Sequence, residues 1–351
     1  MPEASILVRF AETNRVYTNG DKISGTVTLT CFGNLTLRAI EVYCRCTVVA
    51  YATIGDHTQF VEHQHLFQRR RKLFPEFQRS AARNVEKLTL RPGIYTFPFE
   101  FTLPDSEVDL PQSFNQENDM SGVFWHVRAR VERCSKLQKP IVGQLNFAFI
   151  PSSVRSLNVP TREVVKQQKF VLSVCEPRLT IPGFLAKKKN LPVEVTCRVT
   201  YPASGLALGH YTESFIGLWL SSNIEHAIFI DRISVCVQEH TKVYCLSSQV
   251  RSEKPIISHP LVVLTPHMLI TRKGIDLGWL LGASRISNIT VGTIQLPHLH
   301  HDFSLSISLV FSSATSPRRQ QVVTFVSEMF VQPRTISRAS SVAGSSLTLV
   351  C

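Results

Sequence analysis

Hydrophobic and polar residues alternate with a period of two along much of the chain. The pattern is clearest at residues 90–104, LRPGIYTFPFEFTLP, where Tyr95, Phe97, Phe99, Phe101 and Leu103 share one parity. Thr96, Pro98, Glu100 and Thr102 take the other. Such a segment predicts a half-buried β-strand, apolar on one face and solvated on the other. Pro92-Gly93 marks a turn at its start, since Pro presets its own φ and Gly accepts positive φ. Pro98 has no N–H for a ladder, which places the strand at a sheet edge or a bulge.

The same grammar recurs on both sides of this segment. Residues 5–10, 22–30, 37–51, 121–133 and 140–150 read as strands, with Ile40, Val42, Cys44, Cys46 and Val48 on one parity of the third. In the fourth, Val123, Trp125, Val127, Ala129 and Val131 alternate with Phe124, His126, Arg128 and Arg130. Asn19-Gly20 before residue 22 is a turn pair that accepts positive φ. Residues 52–86 are polar and read as a long loop. About seven strands in the first 150 residues is the spacing of a β-sandwich. Residues 151–168 are polar with two prolines and read as a linker. A second set of short alternating segments follows, including KFVLSVCE, LPVEVTCRVTY, IFIDRISVCVQEH, TKVYCLSS and FSLSISLVFSS. No long stretch carries a helical stripe, so the expected class is all-β. The Ser- and Arg-rich residues 334–351 read as a flexible tail.

Length and charge narrow the class further. At 351 residues and 44% hydrophobic the chain is long enough for two domains with cores. Its net charge of +12 favours anionic partners. That charge is gathered into Arg69-Arg70-Arg71-Lys72, Lys187-Lys188-Lys189 and the 317–319 run. Nine cysteines, an odd number mostly inside strand-like runs, read as small buried hydrophobes in a reducing compartment. Cys44 and Cys46 share a face, but a single pair is no zinc signature. The N-terminus lacks the apolar run of a signal peptide, and no apolar run is long enough to span a bilayer. A cytoplasmic protein is expected.

Chemistry-bearing patterns are sparse. The chain has no Gly-x-Ser-x-Gly elbow and no phosphate-cradling glycine loop. No enzyme activity, cofactor or metal is expected. The histidine groups His57, His63, His65 and His298, His300, His301 read as solvated loop residues rather than zinc ligands.

Several segments, in order, carry a resemblance. Tyr17, Gly20, Asp21, Ile23 and Gly25 form a Tyr-x-x-Gly-acid-x-aliphatic-x-Gly stretch. The Pro-Gly aromatic strand of residues 90–104, the LPQSF segment and the Gly122 to Ala129 strand follow. Together they resemble the N-terminal domain of arrestins, closest to the α-arrestins, or arrestin-related trafficking adaptors. The resemblance implies two tandem immunoglobulin-like β-sandwiches, over residues 1–152 and 169–333, joined by a linker at 153–168. In function it implies a non-enzymatic adaptor that binds cytosolic tails of membrane proteins. Such an adaptor couples them to endocytosis, ubiquitylation or endosomal sorting, peripherally at the plasma membrane or endosomes. A retromer-subunit-like sorting scaffold of the same fold is the alternative.

The resemblance also points to sites. Arg9 stands near the position where such proteins read phosphate, and the basic runs are further candidates for phosphate or lipid. Arg69 to Lys72 followed by Leu73 and Phe74 reads as a charged loop with an apolar tip, suited to an anionic membrane surface. Many α-arrestins dock HECT-type ubiquitin ligases through Pro-Pro-x-Tyr motifs. No such motif is present here, so recruitment by that route is not expected. Arg334 precedes Ser337 by three residues and Arg338 precedes Ser341 likewise, a spacing read by basophilic kinases. Ser337, Ser340 and Ser341 are therefore phosphorylation candidates. A nucleic-acid partner is not expected, because the aromatics fall on the buried parity rather than among the basic residues.

Overall fold

A computed structural model describes residues 3–54, 58–74, 88–105, 110–115, 120–135, 138–151, 163–175, 190–202, 206–207, 216–224, 228–246, 250–254, 256–281, 291–313, 316–329 and 331–332. The first half contains β1 (Ala4–Phe10), β2 (Val16–Tyr17), β3 (Lys22–Cys31), β4 (Leu35–Ile54), β5 (Thr58–Phe74), β6 (Leu88–Leu90), β7 (Gly93–Thr102), β8 (Phe114–Asn115), β9 (Gly122–Arg133) and β10 (Ile141–Phe149). A three-stranded sheet ordered β1-β3-β7 faces a seven-stranded sheet ordered β2-β10-β9-β4-β5, with β6 on β4 and β8 on β9.

The second half contains β11 (Glu163–Cys175), β12 (Asn190–Pro202), β13 (Leu206–Ala207), β14 (Gly217–Ser222), β15 (Ile228–Cys245), β16 (Val250–Glu253), β17 (Ile257–Leu264), β18 (Met268–Leu269), β19 (Ile275–Asp276), β20 (Ile294–Leu296), β21 (Leu299–Ser313), β22 (Ser316–Met329) and β23 (Val331–Gln332). It repeats the arrangement with a four-stranded sheet, β11-β12-β14-β19, against a seven-stranded sheet centred on β15 and β21. The molecule is all-β among the described residues, apart from one 3-10 turn at Gly278–Leu281.

The period-two reading places the core correctly. On β7, Phe99 and Phe101 are buried while Thr96, Pro98, Glu100 and Thr102 are exposed. β7 pairs only with β3, so it is an edge strand, as Pro98 requires. In the large sheet, Val42, Cys44, Cys46, Trp125 and Val127 meet Val8, Ile23, Val27 and Phe99 of the small one. Cys44 and Cys46 do share the core face, and burial pushes the Cys44 thiol up to about 12.

The motif residues hold the small and large sheets in place. Gly20 takes a φ of 73°, closing the turn from which its N–H reaches the Pro104 carbonyl at 2.9 Å. Asp21 accepts the Thr18 N–H at 2.9 Å. A Cβ on Gly25 would lie 2.1 Å from the Arg9 carbonyl oxygen, so β1 approaches β3 this closely only because the residue is glycine. The LPQSF segment clamps the sheet end: the Pro111 carbonyl accepts the buried Trp125 indole N–H at 3.0 Å. Ser113 Oγ accepts the Phe149 N–H at 2.8 Å.

Three expectations are corrected. Residues 52–86 are not a loop throughout, because β5 occupies Thr58–Phe74 and pairs with β4 along its length. Bulges at Leu66 and Leu73 break its alternation twice and hide the strand from a period-two reading. Residues 163–168, expected in the linker, are the start of β11, while 152–162 lie outside the described residues. The segments read as separate strands at 228–240 and 241–248 are largely one, β15, whose far end leaves its own sandwich. Val243 and Cys245 from β15, with Ile294 and Leu299, join the core of the first half. Cys245 Sγ donates to the Ala50 carbonyl at 3.5 Å, and the Leu246 N–H donates to the Glu62 carboxylate at 3.0 Å.

This parity sets a stability prediction. Removing a buried Phe side chain costs ~3–5 kcal/mol. Phe101→Ala should destabilise the first sandwich by that amount in a denaturant melt, whereas Thr102→Ala, one residue on and outward, should leave the midpoint nearly unchanged.

Candidate functional site

The β4–β5 hairpin positions most of the basic candidates. Arg69, Arg70, Arg71 and Lys72 are all exposed, but on strand β5 at the edge of the large sheet rather than on a loop. Alternation splits them. Arg70 and Lys72 lie opposite Tyr43 and Glu41 on the outer face. Arg69 and Arg71 lean toward β7, where Arg69 Nη1 donates to the Thr102 carbonyl at 2.6 Å. Leu73 is 6% exposed and Phe74 packs on Phe97 with ring centroids 5.7 Å apart. The expected apolar membrane tip is therefore overturned, because the second bulge turns both side chains toward the core. Arg9 is exposed on β1, on the other sheet. Lys187, Lys188, Lys189, Ser337, Ser340 and Ser341 lie outside the described residues.

One carboxylate lies beneath the run. Glu41 is 1% exposed and is held by the Arg70 guanidinium and the Tyr43 hydroxyl. Burial pushes its carboxyl up, but those two hydrogen bonds outweigh it and hold the group below the usual carboxylate range.

The outer face of the large sheet holds a second group that the sequence did not single out. Four adjacent strands contribute to it. β10 supplies Gln144, β9 supplies Phe124, His126 and Arg128, β4 supplies Arg45, Thr47 and Val49, and β5 supplies His63 and His65. They line a depression of about 370 Å³. Arg45 pairs across strands with His126, and Thr47 with His65, whose Nδ1 lies 3.0 Å from the Thr47 hydroxyl. Burial and then the nearby Arg45 charge depress His126 to about 4. His65 is lowered by the same two causes in the same order.

The histidine expectation thus needs correction. His63, His65, His300 and His301 lie on strands, not loops. His301 is fully buried between the halves, with Nδ1 3.0 Å from the Thr241 hydroxyl and its ring 4.4 Å from that of Phe114. Burial lowers it to about 4. Among the described residues no group of three or more His, Cys, Asp or Glu side chains is placed to hold a metal ion. Nor does any helix there have the length and apolarity to cross a membrane.

Residues 6–145 match the family model of the arrestin (or S-antigen) N-terminal domain. This half of the chain is arrestin-like. The match spans β1 into β10 and includes every motif that carried the resemblance. A comparison with curated proteins finds no match.

Two buried neutral histidines tie the arrestin-like half, and its junction with the second half, to pH. Unfolded, each would protonate near 6.5; folded, His126 and His301 do so only near about 4. Between those values the unfolded chain binds more protons, so stability is full above 6.5 and falls as pH drops toward about 4. Urea melts across this window should show that loss, and it should be shallower in His301→Gln than in the parent.

Proposed function

We propose that the protein is a non-enzymatic adaptor of the α-arrestin type, binding cytosolic regions of membrane proteins and coupling them to endocytosis, ubiquitylation or endosomal sorting. The observation that carries this reading is the arrestin-like domain over residues 6–145 with a basic run exposed along its β5 edge. The chain presents cations to anionic surfaces and carries no recognisable catalytic pattern in its sequence. Without a Pro-Pro-x-Tyr motif, a HECT-type ligase would have to be engaged through another element. Proximity labelling in native cells tests the adaptor reading. Membrane proteins together with endocytic or ubiquitin components should be enriched; a set dominated by nuclear or freely soluble proteins would sink it.

The basic run would act by charge alone, because Leu73 and Phe74 are committed to the core. Glu41 neutralises one of the four cations, leaving a net three. At ~1 kcal/mol per basic residue beside an anionic leaflet, these supply about 3 kcal/mol. That is roughly two decades of partitioning. It is weak alone and useful when a cargo tail adds a second, intramolecular attachment. Changing Arg69, Arg70, Arg71 and Lys72 together to Ala should lower co-sedimentation with acidic liposomes by about that factor, and rising salt should do the same to the parent. Changing Leu73 should alter stability rather than partitioning.

A further inference from the structure

The depression on the outer face of the large sheet has two properties that its own residues leave unresolved. First, it gathers like charge. Arg45 and Arg128 both line it, His63, His65 and His126 stand among them, and no carboxylate is in its wall. Second, it contains buried polar atoms without partners. His126 is 5% exposed and its Nδ1 makes no hydrogen bond; the buried Nε of Arg45 makes none either. An unsatisfied buried donor costs ~1–3 kcal/mol and calls for an explanation such as an ion.

We propose that this depression is a binding site for a phosphate monoester. A phosphate group supplies several acceptor oxygens and negative charge, which would satisfy the orphan nitrogens and relieve the repulsion between the guanidinium groups together. Arginine's planar fork suits such oxygens. The His126 imidazole can present Nδ1–H to the same group while neutral. Thr47 already anchors His65 by its Nδ1, which orients that ring. A metal cation does not fit among two guanidinium groups. The cavity exceeds a bare phosphate, and Val49 and Phe124 give it an apolar wall for the organic portion of the ester.

The position also selects the kind of ligand. β4 and β9 are paired on both sides here, so the sheet centre offers no free backbone to an extended peptide. Recognition must come from side chains converging on one point. That favours a compact phosphate monoester, either free in solution or displayed as a lipid headgroup, over a phosphorylated peptide. The site does not include Arg9 or the Arg69–Lys72 run, so it stands or falls separately from the adaptor reading.

Calorimetric titration of the full chain with glycerol 3-phosphate and with inorganic phosphate tests the soluble source. Vesicles containing phosphatidylinositol 4-phosphate, against phosphatidylserine vesicles of matched charge, test the headgroup source. Saturable one-site binding in either arm, weakened about tenfold or more in Arg45→Gln and in Arg128→Gln, supports the site and names the source. Arg128 is only half-buried, so it gives a reading even if Arg45→Gln fails to fold. The Arg69–Lys72 alanine variant should bind as the parent does. Overturning results are an absence of saturable binding in both arms, equal binding by parent and Arg128→Gln, or binding confined to phosphorylated peptides.

Discussion

The register of β4 is the constraint on which the arrestin-like half depends. The strand is held on one side by β9, from Leu37 opposite Arg133 to Val49 opposite Gly122, and on the other by β5, from Ile40 opposite Phe74 to Ile54 opposite Thr58. Because side chains alternate, this pairing settles two surfaces at once. Ile40, Val42, Cys44, Cys46 and Val48 enter the core, and Glu41, Tyr43, Arg45, Thr47 and Val49 form the outer face. A slip of one residue would bury Arg45 and expose the cysteines. Core and charged face are thus two results of one alignment.

The second half is attached by the same kind of interaction. β15 runs from its own sandwich into the first, where Val243 and Cys245 are fully enclosed and Leu246 reaches Glu62. With Leu299 and Ile294 these residues complete an apolar cluster that the first half does not fill alone. Buried apolar contacts of this kind resist hinge motion more than a polar interface would. The His301 ring, enclosed beside Phe114 at the same junction, adds a group that disfavours charge there.

What was legible in the sequence follows from where alternation survives. β7, β9 and the middle of β4 are regular, and their core residues could be read directly from parity. β5 was not legible because its bulges at Leu66 and Leu73 each reverse the parity, and because edge placement puts Arg69 and Arg71 on the side facing the smaller sheet's rim. Four consecutive cations then looked like a loop. The outer-face group was invisible for a different reason. Its members come from four strands between residues 45 and 144, each unremarkable in its own segment, and only the register brings them together. One signal was present: Arg45, His126 and Arg128 lie on the polar parity of two strands otherwise rich in hydrophobic residues.

The two sets of cations on the large sheet differ in what explains them. Charge along β5 has an ordinary structural reason, since an edge strand with unpaired backbone groups invites pairing with other chains, and Arg and Lys deter it. Glu41 lies beneath and compensates part of that charge. Arg45 and Arg128 have neither reason. They sit on or beside central strands with no edge to protect, their wall has no carboxylate, and Arg45 and the neighbouring His126 leave buried nitrogens unpaired. Burial and mutual repulsion depress Arg45 as well as His126 and His65, so the cluster costs stability in the isolated fold. A fold that needed only solubility here could place serine or threonine at these positions, as it does on the outer face of β3. Charge held at the centre of a sheet at such a cost is better explained by something that arrives with the opposite sign than by the sheet itself.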